Sequence, residues 1–142
     1  MTPQEFWDIT PSVNKSGRII IPPGLFPEKH EMETASFLAK PGLDVEFLRP
    51  SRAKGVRSAD IIIDGQLWEI KSPCGSSRRT IENDFRKAQK QSSNVIFDLR
   101  RIKLSEHIAI SKIKQEFSMQ RSGKIQHIII ITKDEKQLDL SN

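Results

Sequence analysis

The stretch from Ala59 to Pro73, ADIIIDGQLWEIKSP, constrains this chain more than any other. Two strand-prone apolar runs flank Asp64-Gly65, a dipeptide suited to the positive φ angles of a two-residue primed turn, so the segment is expected to fold as a β-hairpin. Counting outward from that turn pairs Ile63 with Gln66, Ile62 with Leu67, Ile61 with Trp68 and Asp60 with Glu69. Directly opposed side chains have Cβ atoms about 5 Å apart, and at an effective dielectric near 20 a carboxylate pair there repels by roughly 3 kcal/mol. Lys71 lies beyond Glu69 and projects from the same face, whereas Trp68 and Ile70 project from the other. Carboxylates converging beside a lysine suit a divalent cation with oxygen ligands.

The remaining periodicities describe a single domain over residues 18–142, preceded by an N-terminal arm over residues 1–17. Arg18 to Ile21 is a short strand, followed by an extended connection set by Pro22, Pro23 and Pro27. Glu28 to Lys40 has helical spacing, with Met32, Ala35, Leu38 and Ala39 as its apolar stripe and Pro41-Gly42 at its end. On that helix Glu31 falls on the buried side and Glu33 points away. Leu43 to Leu48 alternates as a strand. After the hairpin, Ser76 or Ser77 is placed to cap a helix running to about Gln91, with Ile81, Phe85 and Ala88 inward. Asn94 to Leu99 is a buried strand, Leu104 to Phe117 a helix, and Gln126 to Thr132 a strand covered on both faces. The tail from Lys133 is expected to be a turn and a frayed end. The order of elements predicts a mixed α/β architecture.

Charge narrows the partner. The 142 residues carry 23 Lys and Arg against 18 Asp and Glu, a net +5, which favours an anionic ligand without identifying it. The loop Arg49 to Ser58 runs into Asp60, so Arg49, Arg52, Lys54 and Arg57 are candidates for phosphate contacts or members of a solvated loop. The helix N-terminus beside Arg78 and Arg79 offers a phosphate seat. Lys87, Gln89 and Gln91 are within reach of the hairpin from that helix, and Arg100, Arg101 and Lys103 extend a basic track. The single cysteine, Cys74, excludes an internal disulfide framework, and no nearby histidine makes it a nucleophile. His30, His107 and His127 are widely separated and have no zinc-ligand spacing. No run of roughly 20 apolar residues is available to cross a membrane, and the start has no signal-peptide pattern.

Asp60 followed by Glu69-Ile70-Lys71 on the next strand resembles the PD-(D/E)XK nuclease motif. The wider string PSRAKGVRSADIIIDGQLWEIKSPCGSS is similar to the C-terminal tRNA nuclease domains of contact-dependent growth inhibition (CdiA-type) toxins, over about Gly17 to Leu140. The resemblance implies a restriction-endonuclease-like mixed β-sheet flanked by helices, with an αβββαβ core. It implies Mg²⁺ or Mn²⁺ held by Asp60, Glu69 and the carbonyl of Ile70, with Lys71 orienting or activating a water. It also implies help from a first-helix glutamate, Glu31 rather than Glu33, although Glu31 equally fits an ordinary helix-capping role. The implied substrate is tRNA and the implied protein partner an immunity protein. The implied place of action is the cytoplasm, after delivery from another cell as part of a larger protein. The alternatives are a DNA endonuclease of the same fold, a non-catalytic nucleic-acid-binding module, and a purely structural cluster in which Lys71 neutralises Asp60 and Glu69.

Overall fold

The computed structural model describes residues 17–50, 59–121 and 123–142. The expected arm, apart from Gly17, and the basic loop with Arg52, Lys54 and Arg57 lie outside the described residues. In chain order the elements are β1 (Ile19–Ile20), α1 (Lys29–Ala39), β2 (Val45–Phe47), β3 (Ile61–Ile63), β4 (Gln66–Lys71), α2 (Arg78–Gln89), β5 (Asn94–Asp98), α3 (Glu106–Met119), β6 (His127–Ile131) and β7 (Gln137–Ser141). The run from α1 to β5 is the expected αβββαβ order.

The hairpin closes as its turn chemistry predicts. Asp64 and Gly65 both take positive φ, 52° and 78°, and the register is Ile63 with Gln66, Ile62 with Leu67 and Ile61 with Trp68. Around it the strands form one sheet in the order β1-β2-β3-β4-β5-β6-β7. β1 pairs parallel with β2, and β2, β3 and β4 pair antiparallel. β4, β5 and β6 pair parallel, and β7 returns antiparallel along β6.

Strand alternation divides the core into two. Ala35, Leu38 and Ala39 of α1 pack on Phe47, Ile61, Trp68 and Ile70. On the opposite face Ile81 and Phe85 of α2 and Ala109 and Ile113 of α3 pack on Val95, Phe97, Ile128 and Ile130. The Phe85 and Phe97 rings stack with centroids 6.4 Å apart. Each such fully buried side chain contributes about 1.5–3 kcal/mol by leaving water. Because Trp68 and Ile70 face α1, Glu69 and Lys71 face α2, and their partners across the ladder are Val95 and Phe97.

The tail corrects one expectation. Residues after Lys133 form not a frayed end but β7, entered through a turn in which Glu135 has φ 62°. The exposed edge of β6 supplies the reason, since its backbone groups need partners that only a returning strand provides. Leu138 and Leu140, opposite Ile130 and Ile128, were a faint alternation in a mostly polar segment.

Candidate active site

The hairpin brings the Asp60 and Glu69 carboxylates together. The expected backbone pair of Asp60 with Glu69 does not form: the register ends at Ile61 with Trp68, and the Asp60 N–H donates at 3.0 Å to the carbonyl of that same Trp68, while the Asp60 carboxylate still acts on that of Glu69. The Ile70 N–H donates to Asp60 Oδ2 at 2.8 Å, which fixes that side chain at the mouth of the hairpin. The amide and carbonyl of a strand residue point to the same edge, so the Ile70 carbonyl is turned toward the Asp60 side. Lys71 Nζ lies 3.2 Å from Glu69 Oε2, with both side chains largely enclosed.

Glu69 is the residue under electrostatic stress. It is 3% exposed, and its Oε1 is buried with no hydrogen-bond partner among the described residues. Burial, and next the neighbouring Asp60 carboxylate, raise its pKa to about 8, with Lys71 offsetting only part of this. Near neutral pH the Glu69 carboxyl therefore holds its proton unless more positive charge arrives. The orphaned oxygen and the oxygen-only donors fit a hard divalent cation, which commonly takes one or two carboxylates and completes its shell with water and phosphate. Among the described residues no three His, Cys, Asp or Glu side chains form a ready-made cation cage.

The surrounding candidates are distributed unevenly. Glu31 is half-buried and its Oε1 accepts the Glu28 N–H at 2.8 Å, one arm of a capping box that starts α1. It also lines a cavity of about 250 Å³ whose wall includes Asp60. Glu33 is exposed, and its carbonyl accepts from Arg100. Ser77 takes the N-cap position of α2 without a side-chain capping bond. Arg78 lines a cavity against α3 with His107 and Lys112, while Arg79 and Lys87 are exposed. Gln91 buries an Oε1 that has no partner among the described residues, in the wall of a cavity shared with Ala59 and Leu67, whereas Gln89 donates to Gln120 at 3.4 Å.

Two acidic residues were missed by sequence reasoning. Asp84 of α2 is half-buried; burial raises its pKa, and the charges of Lys71, Lys87 and Arg101 oppose that rise. Its place beside the Ile81–Phe85–Ala88 stripe was the available signal. Asp98, at the end of β5, is 3% exposed and binds Arg100 and the Thr34 hydroxyl, the latter at 2.6 Å. That cluster removes Arg100 from the expected basic track, because its guanidinium is spent on Asp98, Glu135 and the Glu33 carbonyl. Arg101 remains near the site and donates to the Ser72 carbonyl and hydroxyl, next to Lys71.

A mixed seven-stranded sheet flanked by helices, with an acidic pair and a lysine at its hairpin, defines the class of this α/β domain. A chain of the CdiA-CT/CdiI toxin and immunity complex from Burkholderia pseudomallei has this fold, at a TM-score of 0.63 and 19% identity, covering 89% of this chain and 100% of that one. Residues 57–137, more than half of the sequence, match the contact-dependent growth inhibition CdiA C-terminal domain, and the chain belongs to that family. No curated protein matches it. Among the described residues no helix is long and apolar enough to cross a membrane.

Proposed function

We propose that this chain is a toxin domain of the CdiA type that hydrolyses phosphodiester bonds in RNA, with tRNA as substrate, and that an immunity protein is its partner. The observation that carries the chemistry is the buried Glu69, with the Asp60 carboxylate as its neighbour and Lys71 3.2 Å away. Asp60, Glu69 and the Ile70 carbonyl would hold Mg²⁺ or Mn²⁺, and such an ion supplies Lewis-acid polarisation of a phosphate oxygen. Asp60 is kept in place by the Ile70 N–H, and Glu69 gives up its proton as cationic charge enters beside its unpartnered oxygen. Lys71 orients the attacking water and balances charge that develops on the phosphate. Arg79, Lys87 and Arg101 supply cationic contacts for the polyanion, joined by Arg52, Lys54 and Arg57. Family membership and the fold shared with a toxin and immunity complex support the toxin and partner assignments.

The test is incubation of the purified protein with total tRNA and, separately, plasmid DNA, in Mg²⁺, Mn²⁺ or EDTA. Metal-dependent tRNA cleavage is expected, with a loss of at least 100-fold in Glu69→Ala and Lys71→Ala at unchanged circular dichroism. Undiminished cleavage by both variants would falsify the site. Cleavage of DNA alone keeps the site and discards the RNA substrate.

A further inference from the structure

A cavity on the α1 side of the site has the features of a nucleobase seat. The turn made by Pro22, Pro23 and Gly24 (φ 80°) presents Phe26 with 88% of its surface exposed, just before α1. No other large hydrophobic residue in the described chain is as exposed. Leaving a phenyl ring in water forgoes the roughly 1.5–3 kcal/mol that burial contributes. Phe26 lines the cavity of about 250 Å³, with Leu25 and Phe47 as further apolar wall and Glu28, Glu31 and Asp60 as its acidic residues.

The polar end is already organised. In the capping box of α1 each of Glu28 and Glu31 accepts the backbone N–H of the other. Each carboxylate therefore spends one hydrogen bond and keeps acceptor capacity, since a carboxylate offers about four lone-pair sites. An aromatic face beside fixed acceptors recognises a planar heterocycle that carries N–H donors on its edge. Single-stranded nucleic acids supply such groups, and their unstacked bases are read by aromatic stacking together with hydrogen bonds to the Watson–Crick edge. Among the described residues the walls contain no lysine or arginine.

We propose that this cavity seats one unstacked nucleobase next to the phosphate held at Asp60, and that guanine is preferred, because its adjacent N1–H and N2–H groups can donate together to one carboxylate. Uracil, with one N–H between carbonyls, is disfavoured by the same acceptors. The inference rests on the nucleic-acid reading above and narrows it to a single-stranded segment carrying a particular base.

The test uses binding in EDTA, so that cleavage does not intervene. Fluorescence anisotropy would compare an oligouridine hexamer with the same hexamer carrying a single guanosine, on the full chain. About tenfold tighter binding of the guanosine oligomer is expected, lost in Phe26→Ala and retained in Phe26→Trp. Glu28→Gln preserves an acceptor for the capping box but removes the charge, and is expected to erase the guanosine preference. Equal affinity of wild type for both oligomers, or a preference unaffected by Phe26→Ala, overturns the proposal even if tRNA is cleaved. A Phe26-dependent preference in a protein that cleaves nothing sustains the base seat and removes the nuclease reading alone.

Discussion

At the scale of single residues, Glu69 decides the behaviour of the site. Its pKa of about 8 stands above its ordinary value of 4.5, so the folded state binds a proton that the unfolded state releases between these limits. The associated stability is fully present below pH 4.5, declines above it and is lost as pH rises through 8. Glu69→Gln is expected to flatten this slope, leaving the variant more stable than wild type at pH 8.5 by roughly 5 °C in thermal melts recorded in EDTA. A wild-type melting profile that does not separate from the variant's with pH would rule out the assignment. Asp98 behaves oppositely: burial pushes it up, but Arg100 and Thr34 together hold it below its usual value. Its contribution is present at neutral pH and is lost only as pH falls below the ordinary carboxylate range. Asp60, Glu69 and Lys71 could be read from spacing alone. Asp98 could not, because NVIFDL reads as an apolar strand and nothing in it points to Thr34 on a distant helix.

At the scale of elements, the hairpin and the Asp98 cluster make different demands. Gly65 has φ 78°, and a Cβ added there would meet nothing within 4 Å, so its cost is conformational only. Gly65→Ala should lose about 1 kcal/mol in urea unfolding, without a change of strand register. Asp98 ties α1 to the end of β5, and Arg100 carries the tie onward to Glu135 in the turn before β7. Asp98→Ala strands a largely enclosed guanidinium over the Phe37 ring and is expected to cost about 3 kcal/mol. Glu135→Ala, at an exposed end of the same network, should cost less than about 1 kcal/mol. Equal losses from the two variants would show that burial does not set the strength of this network.

At the scale of the whole molecule, β7 completes the sheet. Its deletion, as a truncation after Lys133, would uncover the β6 edge and the part of the core against which Leu140 packs. Such a chain is expected to associate in size-exclusion chromatography, since an unpaired strand edge templates pairing with another chain. A monodisperse, normally melting truncation would contradict this. The sequence by itself determined the hairpin, its register from Ile63 with Gln66 to Ile61 with Trp68 and the helical stripes, because turn chemistry and side-chain periodicity depend on neighbours along the chain. Only the tertiary structure decided that Glu69 is buried with an unpartnered oxygen, that Arg100 belongs to Asp98 and that the polar tail is a strand. Each of those outcomes depends on groups brought together from separate elements. Thr34 and Asp98, for example, are 64 residues apart, and no local pattern records what burial and edge pairing will require of such groups.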